Sequence, residues 1–306
     1  MARRNTDLTR PKLQRVSVRL PAASEEPVAS VLHEVFGVYP SIYCSQQRQT
    51  VTASVYLDSA PGLTQLVRTK LVPALKALAL RGVEVQCAPR IETIRREDWA
   101  ESWKKHFPTI TLARRLRIQP SWATTPRSFR GEVIVLDPGL SFGTGHHATT
   151  RYCLEQLLHL RASTRQQRML DVGTGSGILA IAGARIGFGP VEAWDFDPGA
   201  VRIARANIRA NHVTTQVTVW RRDLLHEPVR ARSPYWVVCA NLTADVLLAG
   251  ASRLMHRVAS GGHLIVAGIL RQQYSRVEKM LAAHGLERCC LNKDGEWHSA
   301  TFQKRA

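Results

Sequence analysis

Three glycines at alternate positions, Gly173, Gly175 and Gly177, follow the short apolar run Met169 to Val172. An aspartate, Asp195, stands 22 residues beyond the first of them. Glycines at a strand-to-helix turn let the chain bend sharply and let a ligand lie against the main chain. A carboxylate at that distance suits a ribose, because its two oxygens accept both hydroxyl hydrogens. A dinucleotide turn spaces its glycines G-x-G-x-x-G, so that a helix N-terminus meets a pyrophosphate. Here the spacing is G-x-G-x-G, and the acid Asp171 precedes it, where a pyrophosphate would be repelled. The pattern therefore disfavours a nicotinamide oxidoreductase. It suits a nucleoside cofactor that brings an amine and a positive sulfonium, namely S-adenosylmethionine.

Four further positions carry candidate chemistry. Asn241 ends the apolar run WVVCAN, and ligands of parallel sheets sit outside such carboxyl ends. Its amide offers a donor and an acceptor in fixed positions, or it simply terminates the strand. Asp223, beyond QVTVW, reaches an adenine amine or caps the chain locally. Asp197, followed by Pro198, reads as a helix N-cap rather than a ligand. A second Gly-Thr-Gly, in LDPGLSFGTGHHATT (136–150), ends in adjacent His146 and His147. Two neighbouring histidines without a third ligand do not make a metal site, so no metal is assigned.

The elements that must position these residues alternate strand and helix from about residue 130 onward, the signature of a parallel sheet covered on both faces. Strands are expected at 169–172, 190–195, 216–220, 235–240 and 263–267. The chain closes with two strand patterns flanking Asp294-Gly295, a hairpin signal. In the helix after Asp197, Val201, Ala204 and Ile208 form an inner face and Arg202, Arg205 and Arg209 an outer stripe. The Gly-rich turn leads into a helix with Ile178, Ile181, Ala182 and Ile186 inward.

Upstream, Val16, Val18 and Leu20 alternate with Arg15, Ser17 and Arg19 as a half-buried strand. A helix follows between Ser24, a candidate N-cap, and Gly37, a candidate stop, with Val28, Val31, Leu32, Val35 and Phe36 on one face. SIYC and TVTASVYLD make a hairpin, a second helix covers about 61–80, and VEVQCA closes the unit as a strand. The order βαββαβ is ferredoxin-like and holds no chemical constellation. Asp98 opens a short helix bearing Trp99 and Trp103, read as a packing anchor, and Pro108 ends it. The expected division is a ferredoxin-like domain at 1–95, a linker at 96–120 and an S-adenosylmethionine-dependent domain at 121–306.

Composition bounds the function classes. The 306 residues hold no apolar run long enough to span a membrane. The basic start MARRNTDLTRPKLQR lacks the apolar region of a secretory signal and is too short for a transit peptide. Six cysteines, Cys44, Cys87, Cys153, Cys239, Cys289 and Cys290, show no metal-ligand spacing and read as reduced thiols. Net charge is +18, with arginine far outnumbering lysine, and such a surplus attracts polyanions.

Taken together, the segments DWAESWKKHF, LDPGLSFGTGHHATTRYCLEQL, LDVGTGSGILAIA, DFDP, ANLTADVL, GIL (268–270) and GEW (295–297) resemble the bacterial PrmA family over nearly the whole chain. These enzymes methylate protein eleven of the large ribosomal subunit. The resemblance implies a class I methyltransferase fold with a Rossmann-like sheet, S-adenosylmethionine as methyl donor, and lysine side chains and an N-terminal amine as acceptors. It also implies a substrate-holding N-terminal domain; the reduced thiols add the expectation of a cytoplasmic location, the charge that of ribosomal RNA nearby, and a monomer is expected. Position by position, the implied cofactor contacts are Thr150, Gly173, Asp195 and Asn241, to which the reading of the turn adds Gly175 and Asp171. Asn241 is also expected to position the amine. The earlier Gly-Thr-Gly then becomes a cover over the methionine end, shaped by His147. His146 and Ala148 replace the family's usual threonine and proline. Two alternatives remain. The charge suggests ribosomal RNA methylation, against which no Asn/Asp-Pro-Pro-aromatic loop follows the fourth strand. A non-catalytic RNA-binding assembly protein would have no use for Asp195 or the glycine turn.

Overall fold

A computed structural model describes residues 12–21, 24–38, 40–45, 50–58, 62–85, 88–95, 109–137, 147–161, 167–231 and 233–305. The chain divides into two compact units between Pro108 and Thr109. The segment bearing Trp99 and Trp103, the second Gly-Thr-Gly with His146, and Cys87 lie outside the described residues.

In the first unit, β1 (Lys12–Pro21) is followed by α1 (Glu25–Phe36), β2 (Ser41–Ser45) and β3 (Thr50–Asp58). A continuous helix α2 runs from Leu63–Leu66 through a π-helical stretch at Val67–Leu71 to Val72–Leu80, and β4 (Arg90–Arg95) ends the unit. The sheet order is β2-β3-β1-β4, antiparallel throughout. Val16, Val18 and Leu20 of β1 are sealed against Val28 and Leu32 of α1 and Leu71 and Leu75 of α2. Each such side chain contributes about 1.5–3 kcal/mol by leaving water. Gly37 stops α1 in the left-handed region at φ 68°, its amide donating to the His33 carbonyl. Ser24 stands at the N-cap position but makes no side-chain capping bond.

Of the expected strand VEVQCA, residues 83–85 and 88 are not strand, and 86–87 lie outside the described residues. Val83 and Val85 do pack against this core, yet the strand that pairs with β1 is Arg90–Arg95, with Val16 opposite Ile91. Alternation reported burial, whereas ladder pairing requires the edge of β1, which the chain meets at Arg90–Arg95.

The second unit opens with a three-stranded sheet, β5 (Ile110–Leu112), β6 (Leu116–Gln119) and β7 (Glu132–Val135), so 109–119 of the stretch read as linker is built into this unit. Asn211 fastens β7 by exchanging two hydrogen bonds with the Val135 backbone at 2.8 and 2.7 Å. Then follow α3 (Ala148–Leu160), β8 (Met169–Val172), α4 (Ile178–Arg185), β9 (Val191–Asp195), α5 (Pro198–Ala210), β10 (Val217–Arg221), β11 (Tyr235–Asn241), α6 (Ala244–Arg257), β12 (Val258–Leu270), α7 (Arg271–Ala283), β13 (Leu286–Asp294) and β14 (Trp297–Lys304).

The seven-stranded sheet has the order β10-β9-β8-β11-β12-β14-β13. The first five strands run parallel, and β14 is antiparallel to both its neighbours. This is the α/β sheet of the class I methyltransferases. The terminal hairpin turns at Gly295 as its sequence predicts, but its second strand inserts between β12 and β13 rather than extending the edge. α4 is buried from Ile178 to Ala184, which explains its run of small and aliphatic residues, while Ile186 falls just past its end. Among the described residues no helix is long and apolar enough to cross a membrane.

Candidate functional site

The ladder registers bring three separated motifs level. Val172 of β8 lies opposite Trp194 of β9 on one side and Ala240 of β11 on the other. Gly173, Asp195 and Asn241 each stand one residue beyond that row, at the carboxyl edge of the sheet. β8 is flanked by β9 and β11, with connections leaving in opposite directions, so the row lies at the point where the strand order reverses. Open α/β sheets bind their ligands in that crevice.

The glycine turn is held to β9 by its own backbone. The amides of Gly173 and Thr174 both donate to the Trp194 carbonyl at 2.9 Å. The Gly175 amide donates to Asp195 Oδ2 at 2.9 Å, and the Asp197 amide to Asp195 Oδ1 at 3.0 Å. Burial raises the Asp195 carboxyl above its usual pKa, opposed by those two backbone bonds. Asp195 is thus both a candidate ligand and the clamp that fixes the turn. Gly173 adopts φ 74°, and a Cβ there would come within 2.4 Å of Leu242 Cδ2. Only glycine leaves that cradle open.

Asp171, opposite Cys239 in the ladder, is almost fully buried. Its Oδ2 accepts from the Thr174 hydroxyl at 2.6 Å, and no described residue hydrogen-bonds its Oδ1. Desolvation pushes its carboxyl up to about 7; the Thr174 hydroxyl and the Ala180 backbone amide pull the other way, and the Asp195 charge adds to the rise.

On the other flank, Asn241 Nδ2 donates to Thr150 Oγ1 at 3.5 Å, joining β11 to the first turn of α3. His147 caps that helix, its Nδ1 accepting from the Thr149 amide at 3.4 Å. The His147 ring meets Trp297 edge-on, with centroids 5.1 Å apart. Burial lowers the imidazole pKa, and Asp294 opposes the shift. Thus β14 supports the helix that presents Thr150. Gly268, at φ 81°, passes beneath Asn241; a Cβ there would lie 2.9 Å from the Leu242 carbonyl and 3.0 Å from Asn241 Oδ1.

All six predicted residues therefore gather at one end of the sheet, in two groups: Asp171, Gly173, Gly175 and Asp195 around the turn, Thr150 and Asn241 across β11. Asp197 caps α5, accepting from the Gly199 and Ala200 amides. Asp223 is held by its own neighbours, Oδ1 accepting from the Leu225 amide and Oδ2 meeting His226, and the Leu225 bond lowers its carboxyl. Its position fits a local cap. Sequence reasoning passed over Phe196, which is 69 % exposed beside Asp195. An aromatic residue between two aspartates just past a strand was the available signal.

Comparison with known proteins gives a consistent result. Residues 12–305 match the family described as ribosomal protein L11 methyltransferase (PrmA). The chain is 38 % identical over 259 residues to the ribosomal protein L11 methyltransferase of Geobacter sulfurreducens, covering 84 % of this chain and 83 % of that one. The Pelotomaculum thermopropionicum protein of the same name is 36 % identical over 313 residues, covering 95 % of this chain and 98 % of that one. The crystal structure of a ribosomal protein L11 methylase from Lactobacillus delbrueckii subsp. bulgaricus superposes with a TM-score of 0.58 at 29 % identity, over 65 % of this chain and 99 % of that one.

Proposed function

Because the chain belongs to the ribosomal protein L11 methyltransferase (PrmA) family, we propose that it methylates lysine side chains and the N-terminal amine of ribosomal protein L11. It is an S-adenosylmethionine-dependent protein methyltransferase. The observation that carries the residue assignments is the alignment of Gly173, Asp195 and Asn241 one position beyond a single sheet row.

S-adenosylmethionine, when bound, supplies a methyl carbon activated by a positively charged sulfur. The site fits that group in two respects: the buried Asp171 carboxyl puts an acid behind the glycine turn, and Gly173 holds a left-handed backbone at which a side chain would be strained. Asp195 accepts the ribose hydroxyls with the lone pairs its backbone bonds leave free. Gly173 and Gly175 let the main chain lie against the nucleoside. Asp171 faces the cationic end with its charge, and Thr150 closes that end from α3.

The acceptor nitrogen must be neutral to attack. A free lysine has a pKa of about 10.4, and desolvation beside a positive charge lowers it. Asn241 orients the amine, so positioning carries more of the catalysis than a dedicated base. The first unit, with its ferredoxin-like order, holds the ribosomal protein. The enzyme acts as a monomer in the cytoplasm, with ribosomal RNA close to its bound substrate.

The test is incubation with labelled S-adenosylmethionine and either isolated, unmethylated L11 or undermethylated ribosomes. Label is expected in L11 lysines and the N-terminal amine. Label in RNA, or in another ribosomal protein, overturns the substrate assignment.

A further inference from the structure

The arginine stripe on α5 is not spread over a featureless solvated face. Arg202, Arg205 and Arg209 line a surface pocket of about 320 Å³ with Arg221 of β10, floored by Pro198 and Val201. Among the described residues none of the four guanidinium groups takes part in an ion pair, although other arginines of this unit do. Two of them are set in place by backbone carbonyls. Arg205 Nη2 donates to the Val219 carbonyl at 2.9 Å, and Arg221 Nε donates to the Phe196 carbonyl at 3.3 Å. Each of those two side chains has further N–H donors left over.

Four uncompensated cations around one pocket repel each other, and an isolated surface would have little reason to hold two of them there. An anion with several oxygens relieves that repulsion, and a guanidinium matches phosphate with two parallel donors. The stripe runs from Arg202 to Arg209, about 10 Å at 1.5 Å per residue, a length that suits more than one phosphate of a nucleic-acid backbone rather than a single small ion. β10 is the edge of the sheet, and Trp220, on its opposite face, is 44 % exposed at the same rim. Arg222 stacks against Trp220 at 5.3 Å and Trp194 at 5.0 Å, which steadies the ring. The ring and the pocket thus lie on the two faces of the edge strand, so a single nucleic-acid strand that wraps the β10 edge would meet both, the combination of aromatic stacking and basic groove that holds single-stranded nucleic acid.

We propose that the α5–β10 arginine pocket binds the phosphodiester backbone of single-stranded RNA, with Trp220 as a stacking platform at the sheet rim. The pocket lies beyond Pro198, next to the Asp195–Asp197 segment, and is separate from the Thr150–Asn241 flank. Preferring RNA to other polyanions rests on the proposed action at ribosomal components; the phosphate site itself rests on the geometry.

The experiment uses the full chain and the variant Arg202→Gln/Arg205→Gln/Arg209→Gln, which keeps helix-favouring polar residues and removes the charge. Binding of a fluorescent single-stranded RNA oligonucleotide is followed by anisotropy across a salt series, with polyglutamate as a second ligand. Methyl transfer to isolated L11 and thermal unfolding report whether the variant is intact. The expected result is at least a 10-fold weaker RNA affinity at 0.1 M salt. The slope of log K against log salt should fall by about 2, since each single-strand phosphate contact contributes about 0.7. Methyl transfer should be unchanged, and the unfolding temperature should fall by no more than the loss of the Arg205–Val219 bond accounts for, a few degrees. A Trp220→Ala variant is expected to weaken RNA binding with no change in the salt slope, because it removes stacking and no charge. RNA binding unaffected by the triple substitution overturns the proposal. So does loss of polyglutamate binding with RNA binding intact, which would assign the pocket to an acidic protein. If L11 is not methylated by the wild type while RNA binding still depends on the arginines, the substrate reading fails and the pocket stands.

Discussion

Asp195 Oδ2 accepts the amide hydrogen of Gly175 at 2.9 Å, so the carboxylate at the end of β9 fixes the shape of the glycine turn after β8. Asp197, two residues on, spends both its oxygens on the first turn of α5. The two acids of DFDP therefore separate by experiment. Asp195→Ala is expected to abolish measurable S-adenosylmethionine binding in equilibrium dialysis and to lower stability by about 1–3 kcal/mol, the cost of a lost charge-assisted bond. Asp197→Ala should cost about 0.5–2 kcal/mol, as for any lost N-cap, while cofactor binding persists. Equal loss of binding in both variants would refute the division of roles.

Asp171 makes stability depend on pH in an unusual direction. Its folded pKa is raised to about 7, above the value of an unfolded aspartate, so between roughly pH 4 and 7 the folded state holds a proton that the unfolded state has released. Stability from this group is present at the acid end of that window and is lost as pH rises through it, by up to about 1.4 kcal/mol per pH unit. Asp171→Asn keeps an acceptor for Thr174 and removes the charge. Denaturant melts of both proteins from pH 5 to 8 should show the variant gaining on the wild type as pH rises. A constant difference would show that Asp171 does not titrate there.

The Asn241–Thr150 contact predicts a loss of turnover without a loss of fold. Asn241→Ala is expected to lower kcat/KM by about 100-fold or more, in line with removal of a group that orients the reacting atoms. Thr150→Val should do the same more mildly, since it removes only the acceptor of the 3.5 Å contact. Steady-state methyl transfer to L11, with thermal unfolding as the control, decides it. Wild-type turnover by Asn241→Ala would remove it from the site.

Gly268 supports that flank from beneath. A side chain there would be strained at φ 81° and would press on the Leu242 carbonyl and Asn241 Oδ1. Gly268→Ala should cost about 1–3 kcal/mol in denaturant melts. It should also reduce methyl transfer to a level close to that of Asn241→Ala, because the amide is displaced. Unchanged turnover would mean that the backbone shifts to absorb the methyl group.

Much of this was written in local patterns. The run of β8, the glycine turn, the Asp197 cap and the inner face of α5 depend on neighbours within a few residues, so their spacing alone reveals them. The family segments likewise singled out Thr150 and Asn241, which lie 3.5 Å apart in the structure. The strand at Arg90–Arg95 was not legible, because Val83 and Val85 give the same alternation merely by touching the core. The insertion of β14 between β12 and β13 was hidden for a related reason. A hairpin signal specifies its turn, and which edge the second strand joins is a long-range choice.

The arginine stripe shows the same boundary at the surface. Its helical spacing was plain in the sequence, but an exposed charged face and a pocket wall have the same period. Only the pairing of β10 with β9 brought Arg221 beside Arg202, Arg205 and Arg209. By itself the sequence determined the alternating strands and helices of the second unit and the family. The tertiary structure decided which distant residues share a space: Asn241 with Thr150, Asp195 with Gly175, and four arginines around one pocket. The reason is that backbone propensity and side-chain period act over one turn or one strand. Contacts between elements are set by ladder register and core packing, which no local window contains.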